Sequence, residues 1–494
     1  MGYQSESAVS STENKVTSIT SVQESNDRPA MEESLKQLLG RQRNAFDASP
    51  YPNAATRIAK LKALKHELLQ HQQQLAEAMS QDYGYRSQED SMFGDLLPSV
   101  QSIGYQIRHL KKWMKPSRRH AGLLLAPASV KVIHQPLGVI GVIVPWNFPL
   151  TLSLPPLATA IAAGNRAMLK MSEFTPNTNA VLKSLLAKVF VEEEVAVIEG
   201  EADVAQVFSK LPFDHLLFTG STTVGRHVMR AAADNLTPVT LELGGKSPAI
   251  IAPDMPIEKA VERMIYGKTL NAGQICVSPD YVLCPEDKVR AFCDAFVARF
   301  KQMYPAPTQR DYSCVVNERQ YERLNGWLED AKEKGAEVLP CGDIGSADAR
   351  HMAPQLLLNV NDDMTVMQQE IFGPLLPVIA YRTIDEALAY VQARPRPLAL
   401  YLMSFDRQLQ QRIATETHSG GVCINDTVFH VAADDAPFGG IGPSGMGHYH
   451  GKEGFLTFSK AKTILTQGRF ASSILVHPPY GKWLQRMLVK WFMR

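Results

Sequence analysis

The sequence has few cysteines, and none of them stands at a spacing typical of metal binding. Its 494 residues include six cysteines, no two of which form a C-x-x-C pair. Such scattered cysteines are typical of free thiols in a reducing compartment. The first thirty residues also lack the basic start and apolar run of a secretory signal. These absences predict a cytoplasmic protein without structural disulfides.

The sequence also lacks an excess of charge of either sign and any apolar run long enough to span a bilayer. The formal net charge is +1, which gives no reason to expect a nucleic acid partner. Hydrophobic residues make up 45% and charged residues 20%, as in ordinary globular proteins. Because 494 residues exceed the usual size of one domain, two or three domains are expected.

The N-terminal part changes from polar to helical character near residue 30. Residues 1–30 are rich in Ser, Thr, Glu, Gln and Asn, a composition that predicts a disordered tail. Residues 31–120 carry helical periodicity instead, and we expect three helices there. The apolar stripe that indicates them repeats at steps of three, four and seven and comprises Ile58, Leu61, Leu64, Leu68 and Leu75.

The rest of the chain alternates between strand and helix patterns. Residues 121–139 predict a β-hairpin formed by segments 123–125 and 129–134. The continuous apolar run 138–144 is typical of a buried parallel strand, and a second alternation begins near residue 244. This pattern predicts an α/β fold with two doubly wound parallel-sheet domains and a small hairpin element. The predicted boundaries are 31–120 with 140–243, 244–451, 121–139 with 452–478, and a tail helix at 479–494.

Two glycine-rich segments are candidates for binding phosphate groups. Residues 440–445 form the only literal G-x-G-x-x-G pattern, but no strand opens onto a helix there, so we interpret it as an unrelated loop. The turn from Gly220 and Ser221 to Gly225 lies between a predicted strand and a predicted helix. Glycines and hydroxyls at a helix N-terminus suit a pyrophosphate. The first α/β domain is therefore the candidate dinucleotide-binding domain.

Cys276 is the candidate nucleophile, in the small-residue segment 271–277. A thiolate that adds to a carbonyl needs a donor for the oxyanion and a base for a later water. The amide of Asn147 and the carboxylate of Glu242 could supply these. The residues alone leave other interpretations open: Cys276 as a small buried apolar residue, and Glu242 as a surface acid.

Three histidines near the C-terminus raise the question of a metal site. His430, His448 and His450 are not accompanied by an acid–Cys–His set at zinc spacing. No metal site is therefore predicted.

Four groups of residues match one known family in order and at similar intervals. They are PWNFP at 145–149, FTGSTTVGR at 218–226, LELGGK at 241–246 with NAGQICV at 271–277, and EIFGP at 370–374. Together they resemble the aldehyde dehydrogenase superfamily, and the likeness runs from about Gln42 to about Leu465. The resemblance implies NAD(P)-dependent oxidation of an aldehyde to a carboxylic acid through a cysteine thiohemiacetal and thioester.

The resemblance also implies a role for each matched residue. Cys276 attacks the carbonyl, Asn147 stabilises the oxyanion and Glu242 activates the hydrolytic water. Glu173 favours NAD over NADP, because a carboxylate repels a 2′-phosphate. The residues matched to the cofactor are Lys170 and Glu173 at the adenosine ribose, Gly220, Ser221 and Gly225 at the phosphates, and Glu370 and Phe372 at the nicotinamide side.

Other segments resemble narrower branches of the family. Residues 445–459 resemble the short, class-3-like branch, and segments 44–52 and 81–87 resemble the bacterial coniferyl-aldehyde dehydrogenases. Phe148 and Tyr266 are then candidate walls for a planar aromatic aldehyde. In the family a hairpin like 121–139 pairs with a second subunit, which implies a homodimer. Long-chain aliphatic aldehydes, acyl transfer to coenzyme A and a non-catalytic scaffold remain alternatives.

The final predicted element, 479–494, is a basic amphipathic helix. Its aromatic and aliphatic residues form one stripe, beside basic residues that recur every four positions at Lys482, Arg486, Lys490 and Arg494. Contact with an anionic membrane surface is one interpretation, and packing on the protein's own body or a partner subunit is the other.

Overall fold

The structure, a computed structural model, describes residues 28–305, 311–342, 350–469 and 471–493. Residues 1–27 of the predicted tail lie outside these ranges. Residues 28–30 belong to the first helix, α1 (Arg28–Ala48), so the tail prediction is wrong for them. The physical reason is an apolar helix face that packs on a sheet through Leu35, Leu38 and Leu39.

The N-terminal layer has more helices than the three we expected. Those that follow α1 are α2 (Ala54–Gln70), α3 (Gln72–Tyr83), α4 (Gln88–Ser91) and α5 (Leu97–Trp113). The Asn53 side chain caps the start of α2, and Gly84 ends α3 with a φ of +75°, which glycine adopts readily. The predicted leucine stripe is confirmed, since its leucines are fully buried: Leu61, Leu64, Leu68 and Leu75.

A small antiparallel sheet joins distant parts of the chain. Its strands are β1 (Ser117–Arg119), β2 (Ser129–Pro136) and β16 (Ser459–Thr466), in the order β1-β2-β16. The predicted hairpin is wrong in its first strand, because Leu123–Leu125 form a 3-10 turn and β1 pairs with β2 instead. The main partner of β2 is β16, with which it pairs over its whole length.

The first large sheet positions most of the site. Its strands are β3 (Val139–Ile143), β4 (Arg166–Lys170), β5 (Val195–Ile198), β6 (His215–Thr219), β7 (Val239–Glu242) and β15 (Gly445–Met446). Their order is β15-β7-β6-β3-β4-β5, and only β15 is antiparallel to its neighbour. The strand order reverses beside β3, where open α/β sheets bind ligands at the carboxyl ends of their strands. The helices that follow these strands are α6 (Leu154–Ala163), α7 (Pro176–Ala187), α8 (Ala202–Ser209) and α9 (Thr222–Ala233).

The second large sheet has seven strands in the order β10-β11-β12-β9-β8-β13-β14, parallel except for β10. The strands are β8 (Pro248–Ile251), β9 (Tyr281–Pro285), β10 (Glu337–Pro340), β11 (Gln355–Leu358), β12 (Leu375–Tyr381), β13 (Ala399–Met403) and β14 (Gly421–Ile424). The remaining helices are α10 (Ile257–Thr269), α11 (Val289–Met303), α12 (Glu318–Glu333), α13 (Thr365–Gln368), α14 (Ile384–Gln392), α15 (Arg407–Glu416), α16 (Gly451–Thr457) and α17 (Trp483–Phe492). The predicted α/β class with two mainly parallel sheets is confirmed.

Strand β15 links the two large units. It lies within the predicted second domain, 244–451, but pairs with β7 of the first sheet. The domain boundaries themselves stay a prediction. Among the described residues, every helix is too short or too polar to cross a bilayer.

Candidate active site

One cavity of about 1650 Å³ lies at the carboxyl ends of strands in the first sheet. Residues that follow β3, β4, β6 and β7 line it, and segments around residues 276 and 370 complete its wall. Gly225, Phe148 and Tyr266 do not line this cavity. The candidate site residues that it brings together are Asn147, Lys170, Glu173, Gly220, Ser221, Glu242, Cys276, Glu370 and Phe372.

The backbone that presents Cys276 is unusual. Cys276 follows a 3-10 turn, Leu270–Gly273, in which three successive residues have left-handed backbone. Their φ angles are +49° at Asn271, +53° at Ala272 and +72° at Gly273. A left-handed backbone is strained for non-glycine residues and persists only where surrounding contacts hold it. The thiol therefore depends on the contacts of this turn for its position.

The electrostatic surroundings of Cys276 favour a neutral thiol. Burial raises the pKa of Cys276 to about 12, and the nearby carboxylates of Glu370 and Glu242 act in the same direction. The side chain is nevertheless half-exposed to the cavity. A positive charge brought into the cavity would lower this pKa and promote the nucleophilic thiolate.

Glu242 ends strand β7 with its side chain in the cavity wall. It is only 3% exposed, and neither carboxylate oxygen has a hydrogen-bond partner among the described residues. Burial raises the pKa of Glu242 well above its usual value. A β-carbon at Gly439 would lie 3.2 Å from Glu242 Oε1, so the glycine leaves space beside the acid. A carboxylate without protein partners is suited to accept a proton from water.

The loop at 440–445 lies beside this acid. Gly445 pairs with Glu242, and the Leu243 amide donates to the Ser444 carbonyl at 3.1 Å. The Thr222 hydroxyl at the start of α9 donates to the Pro443 carbonyl at 3.0 Å. The loop thus connects the end of β7 with the first turn of α9.

Asn147 is buried between β3 and the turn that carries Cys276. Its side-chain NH₂ donates to the Gln274 carbonyl at 3.1 Å, which ties it to the cysteine turn. An amide NH₂ has two N–H groups, so the second can serve an oxyanion. The backbone carbonyl of Asn147 accepts hydrogen bonds from the Arg86 guanidinium at 2.9 Å and from the Tyr83 hydroxyl at 3.1 Å.

A buried polar network from the N-terminal helices supports Asn147 and the turn that carries Cys276. Sequence reasoning missed this network. Arg86 forms an ion pair with Asp95 at 3.0 Å, and both side chains are fully buried. One oxygen of Asp90 accepts from the backbone amide of Asn271 at 3.0 Å and from the Ser313 hydroxyl at 2.6 Å. No distinct signal in the sequence marked this network, because Arg86 and Asp95 stand among other acidic residues: Asp82, Glu89 and Asp90. These residues act through Asn147 and the cysteine turn, so they are positioning residues.

Lys170 and Glu173 lie together at the carboxyl end of β4. The Lys170 ammonium donates to the carbonyls of Met171 and Gly200, both at 2.7 Å. Burial lowers the pKa of Lys170, and the charge of Glu173 opposes that effect. A lysine has three N–H donors, so a further acceptor in the cavity can be bound. The pair offers both a donor and a carboxylate to a ligand with hydroxyl groups.

The turn at Gly220 leads into α9, whose first residues line the cavity. Ser221 caps the helix by accepting from the Val224 amide at 3.4 Å, and Gly220 donates to the Glu242 carbonyl at 3.0 Å. A β-carbon at Gly225 would lie 2.6 Å from Leu243, so this glycine serves close packing of α9 on the sheet. The backbone amides at the start of this helix fit the phosphates of a dinucleotide.

Glu370 and Phe372 complete the opposite wall. Burial raises the pKa of Glu370 to about 8, and the nearby charge of Asp280 also raises it. A β-carbon at Gly244 would overlap the Glu370 carboxylate, so only glycine allows this approach. Phe372 contacts Trp146 edge-on, with ring centroids 5.4 Å apart. This wall places an acid and two aromatic rings next to the cavity that contains Cys276.

The two candidate substrate walls share the apolar cluster that surrounds Cys276. Phe148 is 7% exposed and packs under the Arg86 guanidinium, 5.0 Å from its ring centroid. Tyr266 is half-buried and stacks on Phe429, with centroids 5.7 Å apart and planes at 10°. Sequence reasoning missed Phe429, which is far from Tyr266 along the chain. A stacked, partly exposed pair of rings suits a flat apolar ligand.

Comparison with known proteins agrees with this geometry. A profile described as the aldehyde dehydrogenase family matches residues 11–464. A protein of Pseudomonas aeruginosa named "Probable coniferyl aldehyde dehydrogenase" is 56% identical over 461 residues, covering 93% of this chain and 96% of that protein. A "Coniferyl aldehyde dehydrogenase" of a Pseudomonas species is 43% identical over 469 residues, covering 94% of this chain and 97% of that protein. The crystal structure of a Mycobacterium tuberculosis aldehyde dehydrogenase complexed with NAD⁺ is similar with a TM-score of 0.81 and 29% identity, covering 89% of this chain and 91% of that chain.

The chain therefore belongs to the aldehyde dehydrogenase family. It is an oxidoreductase that acts on aldehydes, as the four ordered motifs predicted. The alternative of a non-catalytic scaffold is not supported, because the cavity contains a cysteine, an acid and an amide donor together.

Proposed function

We propose that the protein oxidises aromatic, coniferyl-type aldehydes to carboxylic acids with NAD(P), with Cys276 as nucleophile. The observation that carries this proposal is that one and the same cavity contains Cys276, Glu242 and Asn147 beside the turn at Gly220. The aromatic preference is supported by the stacked pair of Tyr266 and Phe429. The names of the two Pseudomonas relatives support the same substrate class.

The cysteine performs the first step. The Cys276 thiolate adds to the aldehyde carbon, and the carbonyl oxygen becomes an oxyanion in a thiohemiacetal. The Asn147 side-chain amide and the Cys276 backbone N–H donate to that oxyanion. A bound oxidised nicotinamide supplies the hydride acceptor and a positive charge that promotes the thiolate. Loss of hydride from the thiohemiacetal leaves a thioester on Cys276.

Glu242 performs the second step. Its carboxylate takes a proton from a water, whose oxygen attacks the thioester carbon. The C–S bond breaks and the acid leaves. The proton held by Glu242 returns to the sulfur, which regenerates the thiol and the carboxylate. The raised pKa of Glu242 makes it a stronger base than an ordinary glutamate once it is ionised. Water is therefore the acyl acceptor rather than coenzyme A.

The cofactor is held by residues on three sides of the cavity. Lys170 and Glu173 bind the adenosine ribose, and Gly220, Ser221 and the start of α9 bind the phosphates. Gly225 lets α9 approach the sheet. Glu370 and Phe372 contact the nicotinamide side. Glu173 makes NAD the preferred cofactor, with NADP accepted more weakly.

The experiment that tests the substrate class is a panel of aldehydes with the purified protein and NAD. We expect the kcat/KM for coniferyl aldehyde to exceed that for a long-chain alkanal by at least about tenfold, because a planar ring stacks on Tyr266 and Phe429. The measurement is the absorbance of reduced nicotinamide. A higher kcat/KM for the alkanal would favour the long-chain aliphatic alternative. In parallel reactions that also contain coenzyme A, formation of acyl-coenzyme A would contradict water as acceptor.

Substitution of Glu173 by glutamine is expected to narrow the preference for NAD. The change removes the charge that repels the 2′-phosphate of NADP, so the ratio of kcat/KM values for the two cofactors should fall by about tenfold. The matched control is Glu201→Gln, which removes a nearby exposed charge that does not line the cavity. Equal ratios in the wild type and Glu173→Gln would contradict this role.

The protein forms a homodimer through the small antiparallel sheet. Most side chains of β16 are exposed. Among the described residues β2 is its one strand partner, so the other edge of β16 is unpaired there. An exposed strand edge is a ready template for pairing with another chain. All six cysteines are free thiols, which fits a cytoplasmic location.

A further inference from the structure

The last helix, α17, does not pack into the protein body. None of its residues is buried, and Trp483 and Trp491 are 70% and 60% exposed. The helix is attached through Gln485, whose side chain donates to the Leu475 and His477 carbonyls at 3.1 and 3.0 Å. The protein's own body therefore does not cover the apolar stripe of α17, although packing on that body was one of the two alternatives raised from the sequence.

Two rows of side chains run along α17. Trp483, Met487 and Trp491 repeat every four residues and form an exposed apolar row. A basic row precedes it by one residue at each turn and comprises Lys482, Arg486 and Lys490. The segment before the helix extends the apolar surface with further exposed residues: Ile474, Leu475, Val476 and Tyr480.

The charge of this end of the chain has one sign. Residues 454–494 contain seven lysines and arginines and no aspartate or glutamate. If α17 packed against α17 of a second copy, the two basic rows would lie close together, and like charges across an interface are unfavourable. An anionic bilayer surface suits both rows, since tryptophans settle at headgroup depth while lysines and arginines reach the phosphates.

We propose that residues 471–493 bind the surface of an anionic phospholipid membrane. In this arrangement α17 lies in the plane of the interface, with its tryptophan row toward the acyl chains and its basic row at the phosphate groups. This inference does not depend on the substrate class or on the cofactor preference. In this proposal the helix places the enzyme at a membrane and takes no part in the reaction, because all the cavity residues lie upstream of it.

The test is sedimentation of the full-length protein with vesicles of phosphatidylglycerol and phosphatidylcholine, beside vesicles of phosphatidylcholine alone. We expect binding to the anionic vesicles that weakens at least tenfold between about 0.05 M and about 0.5 M salt, because screening shortens the reach of surface charges. The triple variant Lys482→Gln, Arg486→Gln, Lys490→Gln should lose at least tenfold in partitioning. The matched control is Lys62→Gln, Lys112→Gln, Lys301→Gln, which removes three charges from exposed surfaces away from the cavity and should bind as the wild type does.

A second variant tests the apolar row. Trp483→Ser with Trp491→Ser should abolish vesicle binding and leave aldehyde oxidation unchanged. The proposal is overturned if the full-length protein does not bind anionic vesicles, or if the charge variant and its control bind equally. It is also overturned if the tryptophan variant lowers the dimer fraction in light scattering while lipid binding persists, since the helix would then be a subunit contact.

Discussion

Replacement of Cys276 by serine is expected to reduce aldehyde oxidation by at least about 10⁴-fold, because a hydroxyl without a strong adjacent base is a poor nucleophile at neutral pH. Serine keeps the size of the side chain, so the strained turn before it should fold as in the wild type. The dissociation constant for NAD should change little, since the thiol is one contact among many in the cavity. Rapid-mixing kinetics should show no burst of reduced nicotinamide.

The control for this variant is Cys423→Ser. Cys423 is the other half-buried cysteine, lies in β14 and does not line the cavity. It should retain most of the wild-type rate. A Cys276→Ser protein that binds NAD and still oxidises aldehydes at a near-normal rate would exclude Cys276 as the nucleophile.

Replacement of Glu242 by glutamine should separate the two halves of the reaction. Glutamine has the same shape but cannot accept the proton of water, so thioester hydrolysis should slow by about 10²- to 10⁴-fold. Hydride transfer should continue, and the first turnover should appear as a burst of about one reduced nicotinamide per site. Hydroxylamine cleaves thioesters without a general base, so after the free aldehyde has been removed it should release the retained acyl group as a hydroxamate.

The pH dependence gives a second readout of the same group. Glu242 activates water only as the carboxylate, and burial raises its pKa well above the usual value. Hydrolysis by the wild type should therefore increase as pH rises through that raised pKa. The Glu242→Gln variant should lack this increase. A variant in which the burst itself disappears would show that Glu242 is needed before the thioester forms.

The residues that meet in the cavity could be chosen from the sequence, because each stands in a short motif that carries its own reactive group. Cys276, Glu242 and Asn147 stand in short segments whose residue types and order are recognisable without the fold. That the literal glycine pattern at 440–445 is unrelated to phosphate binding stays a prediction. Its position beside Glu242 was not foreseen, since that depends on the pairing of β15 with β7.

What the sequence did not reveal depends on contacts between distant segments. Strand β1 has the polar sequence Ser-Arg-Arg, so no apolar alternation indicated it, and its neighbour Leu123–Leu125 had a more strand-like composition. The support of the cysteine turn by Asp90 joins two segments separated by 181 residues. Such pairs leave no periodic signal in either segment.

The three left-handed residues at 271–273 make the position of the proposed nucleophile, Cys276, depend on distant segments of the chain. A peptide with the sequence 271–277 would not hold that backbone alone, because Asp90 and the Asn147 amide, which stabilise the turn, come from other segments. Transplanting the segment into another scaffold would move the thiol without its geometry. The unit that a protein engineer must transfer is the turn together with the buried helical layer that contains Arg86 and Asp95.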